Sequence, residues 1–292
     1  MRILITGGAG QLGRDLADAL GVEAFALDRT ECDVTAPSSV EQAVARIRPD
    51  AIVNAAAWTD VDGCEADPER ALLVNAAGAG NVARAAGDAP VVQVSTDYVF
   101  DGRAGRAYTE ADPTSPLSVY GSSKLAGEQE VASIARRSAI VRTAWLYGTG
   151  TANFVAAILR AARTRERLAV VDDQVGSPTS TPDFARALIE LIRRGTTGVL
   201  HGVNAGECSR FEFAKAILDE AGLDGSRVDP VRTEAVPRPA VRPAYAPLDG
   251  VAWRAAGLPE LRGWRASLHE VVPGVLASLD AEARRSGGRA AR

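Results

Sequence analysis

The sequence predicts an α/β fold, a doubly wound parallel sheet followed by a smaller C-terminal α/β region. Three observations predict it. Short apolar runs alternate with helical stretches through the first half of the chain, the pattern of βα units whose crossovers place parallel strands in one sheet. The first run, Arg2-Ile3-Leu4-Ile5-Thr6, passes through Gly7-Gly8-Ala9-Gly10-Gln11-Leu12-Gly13 straight into a helix. A later strand ends in Ser95 and Thr96, and the helical segment after it opens on Tyr120-Gly121-Ser122-Ser123-Lys124.

Taken in order, the first strand closes at Thr6 and a helix is expected over Arg14 to Leu20. Glycines at 7, 10 and 13 permit a tight turn and let helix amides approach a pyrophosphate. Directly after a strand and before an amphipathic helix, this GxxGxxG marks a Rossmann dinucleotide site. Val22 to Leu27 reads as the second strand, with Asp28 at its end. A carboxylate there accepts hydrogen bonds from the adenine ribose of NAD, whereas Arg29 beside it can neutralise a 2′-phosphate. The two pull in opposite directions and leave NADH and NADPH both open. Asp33 and Val34 are placed to border the adenine; Asp33 or Thr35 also suits a cap for the helix starting near Pro37, and both roles can hold together. Ala51-Ile52-Val53 is the third strand and runs into Asn54-Ala55-Ala56-Ala57-Trp58-Thr59, whose small residues allow a cofactor against the backbone. An alanine-rich helix with Asn75 inside it follows from Pro68 to Ala86.

The fourth strand, Val91-Val92-Gln93-Val94, leads to Ser95-Thr96-Asp97-Tyr98-Val99-Phe100-Asp101-Gly102 and then to the YxxxK helix. Residues four apart share a helix face, so Tyr120 and Lys124 point the same way. The chemistry that wants this pair is proton delivery to a carbonyl oxygen receiving a hydride. A free phenol titrates near 10; an ammonium about 4 Å away, worth roughly 4 kcal/mol at an effective dielectric of about 20, is expected to lower it by up to about three units, toward the working pH. Thr96 can donate to the same oxygen. A YxxxK pair by itself occurs often by chance; behind a glycine motif and a strand ending Ser-Thr it reads as catalytic. The fifth strand, Ser138 to Val141, leads into Arg142-Thr143-Ala144-Trp145. Trp145, just past a strand's carboxyl end, suits either a core aromatic or a wall of the substrate pocket.

Beyond this the alternation loosens. Helices are expected over Asn153 to Arg163, Thr181 to Arg193 and Arg210 to Ala221, with strands over Leu168 to Val171 and Val199 to Val203. Residues 227–247 are rich in proline and arginine (Arg227, Arg232, Arg238, Arg242), a composition that suits either a cover for a diphosphate or a solvated loop. The chain thus divides into a cofactor domain at 1–145, a substrate-binding region at 146–280 interleaved with the last strands, and a tail at 281–292 expected to be disordered.

Composition narrows the function classes. At 292 residues, 46% hydrophobic and 24% charged, the chain is an ordinary globular protein. No apolar run approaches the roughly 20 residues of a membrane span, and the apolar start is too short for a signal peptide. Three scattered cysteines, Cys32, Cys64 and Cys208, without CxxC, fit the reducing cytoplasm and argue against disulfides or zinc. A net charge of −4 gives no reason to expect nucleic acid.

With these residues assembled, the chain resembles the extended short-chain dehydrogenase/reductases, and among them the dTDP-4-dehydrorhamnose reductases, from Met1 to about Leu276. The resemblance is carried by Gly10-Gln11-Leu12-Gly13, the Asn54 to Thr59 and Ser95 to Gly102 blocks, Ser115-Pro116-Leu117-Ser118-Val119-Tyr120-Gly121-Ser122-Ser123-Lys124, Arg142 to Trp145, Asp173-Gln174-Val175-Gly176-Ser177-Pro178-Thr179 and Arg242-Pro243. It implies a Thr96, Tyr120, Lys124 catalytic set with Tyr120 as proton donor. It further implies pyrophosphate contacts at Gly10, Gln11 and Leu12, an adenosine side at Asp28, Asp33 and Val34, and an inner cofactor wall at Ala55, Ala56 and Ala57. Substrate contacts are expected at Thr96, Asp97, Trp145 and Arg242. The implied reaction is NADPH- or NADH-dependent reduction of the C4 ketone of a dTDP-6-deoxy-4-keto-hexose, giving dTDP-L-rhamnose, by a monomer or homodimer. A related 4-ketoreductase making another deoxysugar shares fold and triad. A non-catalytic regulatory subunit, as in the similar beta subunit of methionine adenosyltransferase, keeps the fold alone. Some members form dimers held by a magnesium ion (Mg2+) between acidic residues; Asp15 matches one such position, without a full ligand set.

Overall fold

The computed structural model describes residues 1–290. Its centre is a six-stranded parallel sheet built from β1 (Ile3–Thr6), β2 (Ala24–Leu27), β3 (Ala51–Asn54), β4 (Val91–Thr96), β5 (Ser138–Thr143) and a strand at Gly198–His201. Their spatial order is Gly198–His201, β5, β4, β3, β1, β2, and every neighbouring pair is parallel. The order reverses at β1, so the crevice for a ligand opens between the carboxyl ends of β1 and β3. Side chains alternate across this sheet: Ile3 and Ile5 enter the core beneath α1 (Gln11–Leu20) and the helix Thr181–Arg194. Leu4 enters the opposite core, with Val40 of α2 (Pro37–Ile47) and Val131 of the Tyr120 helix. Two buried layers on one sheet make the fold doubly wound, as expected.

A buried polar ladder fixes the strand ends. Thr6 Oγ1 donates to Asn54 Oδ1 at 2.6 Å, and Asn54 Nδ2 donates to Gln93 Oε1 at 2.7 Å. Three short elements follow β3: α3 (Val61–Ala66), α4 (Pro68–Leu72) and α5 (Gly78–Ala86). Between α4 and α5 the helix widens into a π turn at Leu73–Ala77, where the sequence suggested an unbroken α-helix. Asn75 in that turn accepts from Trp58 N–H at 2.8 Å and donates to Ser123 Oγ at 2.9 Å, tying the loop after β3 to α6 (Val119–Ile134).

The second half forms a smaller layer. Strands Leu168–Val171 and Val228–Val231 pair in parallel, and the helices Phe154–Ala162, Arg210–Glu220 and Trp264–Ala290 pack around Phe213. Phe213 meets Phe154 at 5.7 Å, Tyr147 at 5.4 Å and Trp264 at 5.6 Å between centroids.

Several boundaries differ from expectation for physical reasons. The second strand begins at Ala24, because Gly21 ends α1 at φ 56° and a 3-10 turn with fully exposed Val22 intervenes. β4 and β5 each run two residues further, to Thr96 and Thr143, because their pairing continues there. α1 starts at Gln11, inside the glycine motif. The segment read as a disordered tail continues the last helix to Ala290, with Arg160 Nη2 donating to Glu282 Oε2 at 3.1 Å; residues 291–292 of that expectation lie outside the described residues. Among the described residues no helix is long and apolar enough to cross a membrane.

Candidate active site

β1 delivers the chain into Gly7, whose φ of 71° favours glycine and where a Cβ would come 2.8 Å from Ala56 N. A Cβ on Gly13 would collide with the Gly7 carbonyl. No side chain caps α1, so its first amides face the crevice, the arrangement that suits a pyrophosphate. Two adjoining cavities share Gly7, Gly10, Ala55 and Ala57. The outer one, about 290 Å³, is bordered by Asp28, Arg29, Asp33, Val34 and Ala56. The inner one, about 400 Å³, holds Gln11, Leu12, Gly13, Thr96, Tyr120 and Lys124. The residues read as cofactor contacts therefore line one continuous trough, a cradle that side chains at the glycines would fill.

On the outer side, Asp28 Oδ1 accepts from the Thr30 amide and hydroxyl, both at 2.7 Å, and the hydroxyl contact holds its carboxyl below the usual range. Asp33 Oδ1 accepts from the Thr35 amide at 2.9 Å and hydroxyl at 2.7 Å. Neither Asp33 nor Thr35 caps α2: its N-cap is Ala36, with no side-chain cap, because Pro37 at N1 already removes one orphan donor. Arg29 leans toward Asp33, Nε to Oδ2 3.5 Å, and stays 72% exposed. Arg70, which the sequence reading passed over, lies with Cζ 4.3 Å above the Trp58 ring in the same cavity.

On the inner side, Ser118 caps α6 by accepting from the Gly121 amide at 3.1 Å, and the helix then presents Tyr120 and Lys124 to the cleft. Tyr120 meets Tyr98 edge to face at 5.4 Å. Burial pushes its phenol upward from the ordinary value near 10, and a hydrogen bond with Thr96 only partly opposes this. This corrects the expectation that Lys124 lowers it. Lys124 Nζ donates to the Val94 carbonyl at 2.7 Å, and burial brings Lys124 itself down to about 8, opposed by Glu128. Tyr120 is thus a neutral phenol at neutral pH, the form that can give up a proton. Thr96 Oγ1 donates to Asp97 Oδ1 at 2.9 Å and accepts from Tyr98 N–H at 3.2 Å. Asp97 is buried, which raises its carboxyl to about 6 against the pull of the Thr96 hydrogen bond and of Arg210. One turn beyond Lys124, Glu128 takes the Ser95 hydroxyl and the Arg142 guanidinium, Nη2 at 2.7 Å and Nε at 3.0 Å.

Trp145 is the wall of the inner cleft. Its backbone sits at φ 46°, and the ring lies so close to Gly176 that a Cβ there would be 2.5 Å away. A second cleft of about 680 Å³ continues past it, lined among others by Phe154, Val170, Arg238 and Arg242.

The model of the family described as the RmlD substrate binding domain matches residues 1–276. This chain belongs to that family. It is 44% identical over 283 residues to a dTDP-4-dehydrorhamnose reductase of Streptomyces griseus, covering 93% of each. It is 43% identical over 278 residues to a dTDP-4-keto-6-deoxy-D-glucose reductase of Streptomyces niveus, covering 93% of this chain and 96% of the relative. The crystal structure of a dTDP-4-dehydrorhamnose reductase from Bacillus anthracis in complex with NADP superposes with a TM-score of 0.90 at 40% identity, over 92% of this chain and 98% of that one.

Within this RmlD-family chain the four arginines of residues 227–247 do not act as one cluster. Arg227 donates to the carbonyls of Ala162, Arg165 and Glu166 at 2.9, 2.7 and 2.8 Å, closing a helix end. Arg232 pairs with Asp172 and Asp173. Only Arg238 and Arg242 line the 680 Å³ cleft, the outer cleft of the substrate side, and both reach Asp62 of α3, Arg242 at 2.9 Å and Arg238 at 3.5 Å. Of the two readings of this segment, a diphosphate cover is therefore left to Arg238 and Arg242, with Arg227 and Arg232 engaged elsewhere. Arg210 was read only as a helix start; no periodicity or motif marks it, yet it faces both clefts.

At Asp15 a single chain assembles no magnesium ligand set among the described residues. Asp15 Oδ2 is buried without a hydrogen-bond partner, beside Gly148, and burial raises its carboxyl. Among the described residues no group of three or more His, Cys, Asp or Glu side chains is arranged to hold an ion.

Proposed function

We propose that the protein is an NAD(P)H-dependent reductase of the C4 ketone of dTDP-4-dehydro-6-deoxy-L-mannose, yielding dTDP-L-rhamnose. The observation that carries the reading is a neutral, buried Tyr120 at the carboxyl end of β4, in one trough with the glycine loop at β1. NAD(P)H bound along that trough supplies the hydride. Gly7, Gly10, Gln11, Leu12 and Gly13 receive the pyrophosphate at the α1 N-terminus, with Asp28, Arg29, Asp33 and Val34 around the adenosine and Ala55 to Ala57 along the wall. Tyr120 gives its proton to the ketone oxygen as that oxygen becomes an alcohol. Lys124, held by Val94, fixes the nicotinamide ribose and supplies positive charge as the phenol ionises. Thr96 and Asp97 orient the ketone, and Trp145 walls the sugar. In this reading residues 1–145 mainly hold the cofactor and 146–280 mainly the substrate, although Tyr98 lines the substrate cleft and Asp62 holds its arginines from the first half. The unpaired buried cysteines suit work in a reducing cytoplasm.

The name of the Streptomyces niveus relative favours a second reading, a 4-ketoreductase serving a different dTDP-deoxysugar. Turnover of purified protein with dTDP-4-dehydrorhamnose and with dTDP-4-keto-6-deoxy-D-glucose, followed by NADPH oxidation and NMR of the product, separates them. Rhamnose product at the higher kcat/KM supports the first reading. Preference for the other ketone supports the second, and no turnover with either leaves only a binding role.

A further inference from the structure

We propose that Arg210 is the specificity-determining cation of the substrate site, taking the phosphoryl group that joins the sugar to the nucleoside. This deepens the nucleotide-sugar reading and rests on it. The inner cleft, with Tyr120 and Lys124, and the outer 680 Å³ cleft meet at three residues that line both: Tyr98, Ala152 and Arg210. A nucleotide sugar whose ketone reaches Tyr120 and whose base lies in the outer cleft must pass its diphosphate through that junction. Of the three residues there, only Arg210 carries a charge suited to it.

The other guanidiniums of the outer cleft already hold carboxylates. Arg238 and Arg242 share Asp62, and Arg160 pairs with Glu282. The Arg210 guanidinium makes no ion pair and no side-chain hydrogen bond among the described residues. Its Cζ lies 3.5 Å over the Trp145 ring and 5.0 Å from the Phe154 ring centroid. Its backbone is fixed, since Arg210 N–H donates to Gln174 O at 3.0 Å and Ser209 and Glu212 form a capping box around it. Stacking on an aromatic face holds the plane of a guanidinium while leaving its in-plane N–H donors available. Donors in a desolvated place without acceptors are costly, and a phosphoryl oxygen pair matches their fork. Trp145 therefore serves a second purpose: it is the platform that aims Arg210, and its face toward Arg210 is not open to the sugar.

The test measures dTDP and thymidine binding by calorimetry, and NADPH binding as the check on folding, in wild-type, Arg210→Gln and Arg210→Lys protein. Arg210→Gln is expected to weaken dTDP by about ten- to hundredfold, the scale of a lost charged hydrogen bond, with thymidine and NADPH unchanged. Arg210→Lys, which keeps charge without the planar fork, is expected to recover part of the loss. With substrate, KM rises and kcat holds. Unchanged dTDP affinity in Arg210→Gln overturns the inference and leaves the reductase reading standing. Wild-type protein that does not bind dTDP overturns both. Should Arg210→Gln also lose NADPH, the same comparison is read from Arg210→Lys, where full dTDP affinity overturns the proposal.

Discussion

Lys124 hands its Nζ to the Val94 carbonyl oxygen at 2.7 Å, and the residue one turn earlier on the same helix, Tyr120, keeps its proton. The two residues share a helix face, but they divide the chemistry: the lysine is anchored on β4 and the tyrosine stands ready as an acid.

Tyr120→Phe removes the proton and nothing else of comparable size. Turnover is expected to fall at least about a hundredfold, the scale of a lost general acid, while NADPH affinity by fluorescence titration stays within about twofold. Near-normal turnover would transfer the acid role elsewhere.

Because burial lowers Lys124 to about 8, its positive charge disappears as pH rises through that value. NADPH affinity and kcat are expected to decline together above about pH 8, and a profile flat to pH 10 would contradict the assignment. The stability effect has the opposite sense. Between about 8 and the ordinary value of 10.5 the unfolded chain holds this proton and the folded one does not, so this group makes unfolding free energy rise with pH there.

Glu128 and Arg142 form a buried pair with side chains only 4% and 6% exposed. Glu128→Ala strands the guanidinium, whose Nη1 already lacks a partner, and is expected to cost about 3–5 kcal/mol in denaturant unfolding. A loss below about 1 kcal/mol would mean that water replaces the carboxylate.

For the cofactor, both NADPH and NADH are expected to support reduction. Arg29→Ala and Arg70→Ala separate the two cations of the outer cavity: the one that meets a 2′-phosphate should raise KM for NADPH roughly tenfold and spare NADH. Equal loss with both cofactors marks a structural residue.

Arg242→Ala is expected to raise substrate KM with little change in kcat, since the residue lines the outer cleft. Arg227→Ala should leave KM alone and lower the thermal midpoint, because its three acceptors are backbone carbonyls at the end of the Phe154–Ala162 helix and in the turn after it. A KM effect from Arg227 would contradict that division.

The parts of this molecule written in local sequence were legible. The glycine turn, the strand ending Ser95-Thr96 and the i, i+4 pair of Tyr120 and Lys124 each follow from spacing within one element. What was not legible depends on partners far along the chain. The state of Tyr120 follows from burial among Cys64, Ala71 and Tyr98, which the Thr96 hydrogen bond only partly opposes, rather than from its neighbour Lys124. Arg227 and Arg242 look alike in sequence, yet one finds carbonyls some 60 residues earlier and the other finds Asp62, 180 residues away. Arg210 gave no sign at all, because what singles it out is the place where two clefts meet.

The π turn at Leu73–Ala77 has a consequence for how this segment tolerates change in length. Such a turn amounts to one residue added to an α-helix, and each helical residue turns the chain by about 100°. Deleting one residue from the turn would restore a regular α-helix, but α5 would then rotate by that angle, carrying Val82 and Ala83 off the sheet. Asn75 would also leave Trp58 and Ser123. The irregularity therefore fixes the length of the segment from Pro68 to Ala86: a substitution on its exposed face, as at Leu72 or Leu73, stays local, whereas a gap of a single position shifts everything downstream of it around the helix.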